Sequence, residues 1–219
     1  MRSPHIIWPK TIERAREMQE RDKRLVLIEP LHKEPEYVAG VDASFSESRV
    51  YAAVCLYCYS QLTLVEQTSA EKQLEFPYVP GYLLFREGPA IIAALKKLKR
   101  KPDVILIDGQ GIAHPRGIGS ASHVGVLLDV PTIGCAKTRL VGKYRDPGAR
   151  KGNWTELQFD GRIIGAVLRT RDGVRPLFLS PGHRIDLHGA IRIALNCVGR
   201  CRMPEPLRCA DMLSKKIRW

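Results

Sequence analysis

The chain lacks any apolar run long enough to cross a bilayer. Its longest uninterrupted stretch, Val50 to Tyr59, has ten residues, whereas a membrane-spanning helix needs roughly 20. The N-terminus, MRSPHIIWPK, also lacks the apolar stretch and the small-residue cleavage site of a secretory signal. These absences predict a cytoplasmic protein with no membrane partner.

Unusual composition is absent as well. The chain is 44% hydrophobic and 26% charged, which is close to the globular average and excludes a fibrous, collagen-like or wholly disordered protein. The sequence contains no internal repeat and no low-complexity segment. Its length of 219 residues therefore predicts a single domain spanning residues 1–219.

Cysteine is scarce enough that a disulfide framework is not expected. Six cysteines could form three bridges, but in a chain of this length with no export signal reduced thiols are favoured. Cys55 and Cys58 have the spacing of half a zinc knuckle. However, they fall on a predicted strand, where positions three apart face opposite sides, so buried free thiols are the favoured interpretation.

Acidic residues are outnumbered, with 23 Asp and Glu against 35 Lys and Arg and a formal net charge of +12. This excess favours polyanionic partners, nucleic acid above all, although a surface kept soluble by lysine is the alternative. The basic residues concentrate in KKLKRK at 96–101, in residues 137–151 and after Gly199. Such blocks can contact phosphates, but a single one is more often a solvated face.

The hydrophobic pattern predicts an α/β fold built on a mixed sheet. The segments YVAGVDASF, RVYAAVCLYCYS and LTLVEQTSAEKQ are typical of three antiparallel strands, and helices then alternate with parallel strands, so that helices cover both faces of the sheet. Charges at helical spacing predict an N-terminal helix over about residues 8–25, packed outside the core. Residues 214–219 are expected to form a short basic tail. Further helices are predicted at 83–99, 120–128 and 185–198, and further strands at 103–109, 131–135 and in RIIGAVLRT and PLFLS.

Two aspartates stand where apolar strands end. Asp42 lies in GVDASF and Asp108 in VILIDG; if these strands are neighbours, the carboxylates repel each other unless a cation lies between them. Glu87 is a third candidate carboxylate. Oxygen ligands favour Mg²⁺, with Mn²⁺ as a substitute, and this chemistry suits phosphodiester hydrolysis. Taken singly, each aspartate is more often a turn or helix-capping residue.

Two loops carry further candidates. DGQGIAHPRGIGSASH is rich in glycine, which permits a close approach of ligand to backbone, but it contains neither the GxxxxGK[ST] pattern nor a well-placed GxGxxG. In FPYVPG, prolines on both sides of Tyr78 stiffen the loop. The ring could then be a wedge in a base stack or, as readily, a cap on the core.

These motifs together resemble the endonuclease V family, whose members act at inosine in nucleic acid. The resemblance runs from about residue 37 to about residue 213. It is carried by GVDASF, FPYVPGYLLFREGP, DGQGIAHPRGIGSASHVGV, GCAKTRLVGKY, GAVLRTRDGVRPLFLSPGHRIDL and RMPEPLRCAD. It implies a ribonuclease H-like fold in which Asp42, Asp108 and Glu87 hold magnesium.

The resemblance also implies roles for the neighbouring residues. Tyr78 would be the wedge that opens the strand, together with Pro77, Val79 and Pro80. The glycines Gly81, Gly109 and Gly111 would line the pocket for a flipped base. His114 and Lys137 would act beside the metal site, and Arg139 would contact the phosphate backbone. Apart from a chemical role, His114 could brace its loop as a hydrogen-bond partner, and His183 in SPGHRID could be a helix-entry residue.

The function so implied is a Mg²⁺-dependent DNA-repair endonuclease. It would hydrolyse the second phosphodiester bond 3′ to deoxyinosine in DNA, leaving 3′-hydroxyl and 5′-phosphate ends, and inosine-containing RNA is a possible second substrate. A non-catalytic lesion-binding module and a different nuclease of the same fold are the alternatives. A monomer is expected, because no heptad pattern requires self-association.

Overall fold

The computed structural model describes residues 6–218, and in this range it contains five α-helices and eight β-strands. The helices are α1 (Ile12–Asp22), α2 (Leu83–Lys96), α3 (Ser120–Leu128), α4 (Leu187–Asn196) and α5 (Glu205–Lys216). The strands are β1 (Tyr37–Phe45), β2 (Arg49–Cys58), β3 (Thr63–Gln73), β4 (Val104–Ile107), β5 (Thr132–Ala136), β6 (Trp154–Phe159), β7 (Arg162–Leu168) and β8 (Leu177–His183). None of these helices is both long enough and apolar enough to span a membrane.

All eight strands form one mixed sheet in the order β3-β2-β1-β4-β5-β8-β7-β6. The strands β1, β2 and β3 pair antiparallel, while β4 and β5 run parallel to β1 in the centre. The late strands β7 and β8 are antiparallel to each other. The predicted mixed sheet, with three antiparallel strands followed by parallel ones, is therefore confirmed.

Helices cover both faces of the sheet, because successive side chains of a strand point to opposite sides. In β1, Ala39 packs with α2 and α3, whereas Val38 packs with α4 and α5. In β4, Ile105 and Leu106 divide in the same way. Every residue of β4 is buried, as expected for a parallel strand covered on both faces. The predicted layers are thus present, with β1 and β4 at the centre.

The N-terminal helix is shorter than the sequence predicted. It begins after Thr11, whose hydroxyl accepts a hydrogen bond from the backbone N–H of Arg14, and it continues only as a 3-10 turn over Lys23–Leu25. Most of its residues are exposed, as expected of a helix outside the core, but Gln19 and Asp22 on its inner side are buried. The charges at helical spacing predicted the side of the helix that faces solvent, but they did not predict which polar residues are buried on the other side.

The C-terminal part contains two elements that the sequence analysis missed, β6 and α5. Residues 214–216, expected to be part of a basic tail, belong to α5, and Ser214 is buried with its carbonyl accepting a hydrogen bond from Ser44. α5 lies directly against β1 at Gly40, where a Cβ atom would stand 2.0 Å from the carbonyl carbon of Pro206. Only glycine permits this approach, which brings the C-terminal helix onto the centre of the sheet.

The helices predicted at 83–99 and 185–198 end earlier, at Lys96 and Asn196. All six cysteines are free thiols, as the sequence favoured. Cys55 is buried, whereas Cys58 is half-buried and contacts Ser60. Across residues 6–218, no group of three or more His, Cys, Asp or Glu side chains is arranged to hold a metal ion, so the zinc interpretation of these two cysteines finds no support.

Candidate active site

Four carboxylates from four separate elements define the candidate site. β1 and β4 are parallel neighbours paired through Val41 and Ile107, so Asp42 and Asp108 lie at the same level of the sheet. Asp108 directly follows β4, as predicted, whereas Asp42 lies inside β1, which continues to Phe45, and not at a strand end. The Asp108 N–H donates to the Val41 carbonyl at 3.2 Å. Glu87 comes from α2 and is buried. The fourth member, contributed by α5 and hydrogen-bonded to the side chain of Asp42, is Asp211.

The carboxylates repel one another strongly. Burial, followed by the charge of Asp108 and contact with Asp211, raises the pKa of Asp42 to about 7. Burial, followed by the charges of Asp42 and Asp108, raises the pKa of Glu87. Burial also acts on Asp211, but hydrogen bonds from Lys215 and Asp42 outweigh it and lower its pKa. Near pH 7, Asp42 is therefore only partly protonated, whereas Asp211 is anionic and can accept a hydrogen bond from the protonated form of Asp42.

Lys137, which directly follows β5, neutralises part of this charge. Its Nζ lies 2.7 Å from Asp108 Oδ2 and 3.9 Å from Asp211 Oδ1. Burial opposes the ammonium form, but the hydrogen bond and the charge of Asp108 outweigh it and raise the pKa of Lys137. The ammonium is thus held charged at the edge of the acidic cluster.

The cluster has the chemistry of a site for a hard divalent cation. All four side chains offer oxygen donors, and their mutual repulsion is the kind that a bound cation relieves. In the described residues, however, no three of these carboxylates converge closely enough to hold an ion as they lie, and the Lys137 ammonium already pairs with Asp108. The donor set fits Mg²⁺ or Mn²⁺, while enclosing the ion requires the side chains to reorient.

The raised pKa of Asp42 predicts that stability depends on pH and on divalent cations. Its folded pKa of about 7 exceeds the ordinary 3.8, so the folded state binds the proton more tightly, and the contribution to stability present below pH 4 is lost as pH rises to 7. Between pH 5 and pH 8 we expect a loss of about 3 kcal/mol from this group. Thermal unfolding at pH 5 and pH 8, with Mg²⁺ and with EDTA, measures it.

The matched comparison is Asp42→Asn, which keeps the side-chain shape and removes the titration. The variant should lose less stability than the natural chain between pH 5 and pH 8 in EDTA, and Mg²⁺ should raise the Tm of the natural chain at pH 8 but hardly at pH 5. An identical pH dependence of both proteins would contradict the assignment of the raised pKa to Asp42.

A pocket of about 540 Å³ opens beside Asp108 and Lys137. Its walls are mostly apolar, as in many sites for planar ligands. Of the predicted base-pocket residues, Gly81 and Gly109 line it, but Gly111 does not. A Cβ on Gly111 would stand 2.0 Å from the Pro181 carbonyl oxygen, so this glycine allows the loop to pack on β8. The lining comes from residues 19, 78–81, 83, 84, 108–110, 114, 118–120 and 136–140.

Tyr78 stands at the mouth of this pocket and is 70% exposed, so it does not cap the core. Three buried aromatic rings hold the loop from both sides: Phe76 lies 6.4 Å from Tyr82 and 5.6 Å from Phe85, measured between ring centroids. Val79 and Pro80 also line the pocket, whereas Pro77 is exposed outside it. The Tyr78 ring is therefore exposed at the tip of a loop whose two ends are held by buried aromatic rings.

His114 braces this loop through both ring nitrogens. Nε2 lies 3.1 Å from the Gly81 carbonyl oxygen, and Nδ1 accepts from the backbone N–H of Arg116 at 3.2 Å. Burial, followed by the nearby Arg116 charge, lowers the pKa of His114 to about 4. The ring is therefore neutral with its proton on Nε2, and in this arrangement it supports the backbone.

The remaining predicted residues lie on either side of the cluster. Arg139 lines the pocket and stays at the surface, where its guanidinium donates to the Gly142 carbonyl at 2.9 Å and lies 5.6 Å from the Tyr144 ring. His183 is buried in β8, where its Nδ1 accepts from the Leu27 N–H at 3.2 Å. It ties the N-terminal segment to the sheet and does not line the pocket.

Sequence reasoning missed two polar residues at this site, Asp211 and Gln19. Asp211 lies inside RMPEPLRCAD, a string that was recognised without a role for its aspartate. A proline followed by Glu205 and by apolar residues at helical spacing was the available signal for a helix there. Gln19 lines the pocket from α1, and nothing in its own sequence context indicates that contact.

Comparison with known proteins is consistent with this geometry. Residues 19–212 match the family model for Endonuclease V. An Endonuclease V of Methanothrix thermoacetophila is 54% identical over 181 residues, which cover 83% of this chain and 81% of the relative. The crystal structure of the Endonuclease V from Streptomyces avermitilis is 40% identical, with a TM-score of 0.92 over 96% of this chain and 94% of that one.

A second structure contains nucleic acid. It is Ciona intestinalis Endonuclease V in complex with a 24mer DNA containing an inosine followed by a ribo-adenosine. It is 28% identical to this chain, with a TM-score of 0.84 over 96% of this chain and 98% of that one. The match to the family model, over residues 19–212, spans every segment that contributes a carboxylate to the cluster.

Proposed function

The chain belongs to the endonuclease V family, and on that premise we propose that it is a Mg²⁺-dependent nuclease that cuts DNA at inosine. The observation that carries the proposal is the meeting of four carboxylates, from β1, α2, the end of β4 and α5, beside a pocket with an exposed aromatic ring at its mouth. Metal-dependent nucleases hold their cations with such carboxylates, next to the place where the substrate lies.

Asp42, Asp108, Glu87 and Asp211 would hold the cation. When bound, Mg²⁺ or Mn²⁺ supplies a water of lowered pKa and stabilises charge on the phosphate. Lys137 contributes a fixed positive charge next to Asp108, where it can offset the charge that develops on the phosphorane oxygens. Arg139, at the surface beside the pocket, positions the strand through its phosphates.

The pocket would receive the inosine base after it leaves the stack. Flipping costs a few kcal/mol, and least where the base pair is already weak, as with a deaminated base. Tyr78, held rigidly at the loop tip by its neighbouring prolines, would fill the space that the base vacates. Gly81 and Gly109 line the pocket without a side chain, so a planar ring can approach the main chain there.

The proposed cut is at the second phosphodiester bond on the 3′ side of the inosine, with 3′-hydroxyl and 5′-phosphate ends. Inosine-containing RNA is proposed as a further substrate, in accord with the ribo-adenosine that follows inosine in the DNA bound by the Ciona protein. The working unit would be a monomer in the cytoplasm, since one chain supplies all four carboxylates and its free thiols suit a reducing compartment.

The test is an end-labelled duplex with one inosine, alongside a duplex with adenosine at the same position, incubated with Mg²⁺ or with EDTA. We expect a single nick one nucleotide beyond inosine, in Mg²⁺ only, mapped to the nucleotide on a sequencing gel. The same strand in RNA reports the second substrate. Tight inosine-selective binding without a nick in Mg²⁺ or Mn²⁺ would overturn the nuclease assignment and favour a non-catalytic lesion sensor.

A further inference from the structure

A single carbonyl oxygen at the base of the Tyr78 loop accepts an unusual number of hydrogen bonds. The Gly81 carbonyl has three side-chain partners: Gln19 Nε2 at 3.0 Å, Arg116 Nη2 at 2.6 Å and His114 Nε2 at 3.1 Å. A carbonyl oxygen has two lone pairs, so three donors saturate it. Gly81 has φ +82°, a left-handed conformation that glycine adopts without strain.

The donors are joined to one another as well as to the carbonyl. Arg116 Nε donates to Gln19 Oε1 at 2.6 Å, so the guanidinium spans both the glutamine and the carbonyl. The Arg116 Cζ atom lies 4.1 Å from the centroid of the Tyr82 ring, where a cation is attracted by the aromatic face. The planar fork of arginine suits this double contact, and lysine cannot reproduce it.

The clamp is anchored in the core through α1. Gln19 is 2% exposed. One turn further along the helix, Asp22 Oδ2 lies 2.8 Å from Nε2 of His123 in α3, within hydrogen-bond distance, and both side chains are buried. The His123 ring also packs edge-on against Phe85, with centroids 5.6 Å apart. The N-terminal helix is therefore fixed to α3 and, through Gln19, to the loop that carries Tyr78.

We propose that Gln19 and Arg116 are positioning residues, which fix the Tyr78 loop relative to the pocket through the Gly81 carbonyl and so set the affinity for inosine-containing strands. Neither side chain touches the carboxylate cluster in the contacts above. The inference rests on the proposed function, since the strand affinity it concerns is that of the nuclease. It gives the N-terminal helix a role in substrate capture.

Two variants test the clamp. Gln19→Ala removes the donor to Gly81 and the acceptor for Arg116, whereas Arg116→Lys keeps the charge and loses the fork. We expect each to raise KM for an inosine duplex about tenfold, as for the loss of one or two net hydrogen bonds, with kcat within about twofold of the natural chain. The matched control is Arg14→Ala, an exposed position on the same helix, which should change neither constant.

Two further measurements separate positioning from phosphate contact and from general destabilisation. Loss of a phosphate contact reduces the slope of log affinity against log salt by about one, whereas loss of the clamp should leave that slope unchanged. Amide hydrogen exchange of the peptide covering residues 74–85, measured without nucleic acid, should speed up in both variants and not in Arg14→Ala. Exchange in β4 should stay as in the natural chain.

The outcomes decide between the readings. An unchanged KM and unchanged exchange in both variants would overturn the proposal. A fall in kcat at constant KM would also overturn it. So would a reduced salt slope in Arg116→Lys if the exchange of residues 74–85 were no faster. Should Gln19→Ala fail to fold, Arg116→Lys, which leaves α1 intact, decides alone. If the natural chain neither binds nor cuts inosine strands, the proposed function fails, and exchange of residues 74–85 still decides whether the clamp exists.

Discussion

Asp42→Asn and Asp108→Asn are each expected to abolish cleavage of inosine-containing DNA, lowering the single-turnover rate by at least about a thousandfold. Asparagine keeps the size of the side chain and removes the negative charge. The remaining carboxylates would then compensate a divalent cation poorly, and Lys137 would lose its partner at 2.7 Å in the second variant. The measurement is nicking of a labelled duplex with enzyme in excess over substrate.

The chain offers a matched control at the opposite end of the same strand. Asp103 directly precedes β4 and Asp108 directly follows it. Asp103 accepts hydrogen bonds from the backbone N–H groups of Glu36 and Tyr37, at 2.9 Å and 3.0 Å, which an asparagine carbonyl can also accept. Asp103→Asn should therefore cleave at the natural rate.

Binding separates a catalytic from a structural effect in these variants. Both aspartate variants should bind the inosine duplex within a few-fold of the natural chain, because asparagine keeps the shape of the side chain and the Tyr78 loop is unchanged. Removal of one of several mutually repelling carboxylates should also leave the Tm equal or higher in EDTA. Undiminished nicking by both variants would exclude a metal-holding role for these aspartates.

Gly40→Ala is expected to cost about 3 kcal/mol of unfolding free energy and to remove most of the activity. The added Cβ would lie 2.0 Å from the carbonyl carbon of Pro206, 2.2 Å from its oxygen and 2.4 Å from the Leu207 nitrogen. All three are backbone atoms, so no side-chain rotation relieves the contact and α5 must move away from β1. Asp211 would move with the helix and lose its hydrogen bond to Asp42.

Urea unfolding and single-turnover nicking measure the two effects. Gly173→Ala is the control, because Gly173 has φ +66° and open space around its Cβ position; it should cost only the strain of a left-handed residue, about 1 kcal/mol, and leave cleavage intact. If Gly40→Ala unfolded at the same urea concentration as the natural chain and cleaved at the same rate, the close approach of α5 to β1 would have no role in building the site.

The sequence predicted the features that depend on local pattern. Four consecutive aliphatic residues predicted β4, and the acid that directly follows them marked Asp108 as a candidate site residue. Both features depend only on neighbouring residues, because a run of aliphatic residues indicates a buried strand and a polar residue indicates its end. The mixed sheet followed from the order of such segments. Membership of the endonuclease V family followed from longer strings whose order along the chain is specific.

The features that the sequence did not predict depend on contacts between distant segments. The glycines at 81, 109 and 111 look alike in sequence, yet two line the pocket and Gly111 packs on the backbone of Pro181. In the sequence, Gln19 does not differ from the other polar residues of an amphipathic helix, and only the fold brings it to the Gly81 carbonyl. Before α5, the sequence has a proline and an acidic residue that are typical of a helix start, but the many basic residues near the C-terminus predicted a tail. Without the helix, no position in the fold could be assigned to Asp211.

The docking of α5 on β1 has a consequence for the order in which the protein folds. Contacts between elements far apart along the chain form late, because closing a long loop costs entropy before the contact repays it. The α5–β1 contact joins Gly40 and Pro206, far apart along the chain, while β1, β2 and β3 pair through short hairpins. During refolding, the antiparallel half of the sheet should therefore appear early and the acidic cluster last, so that cleavage activity returns only after most of the secondary structure has formed.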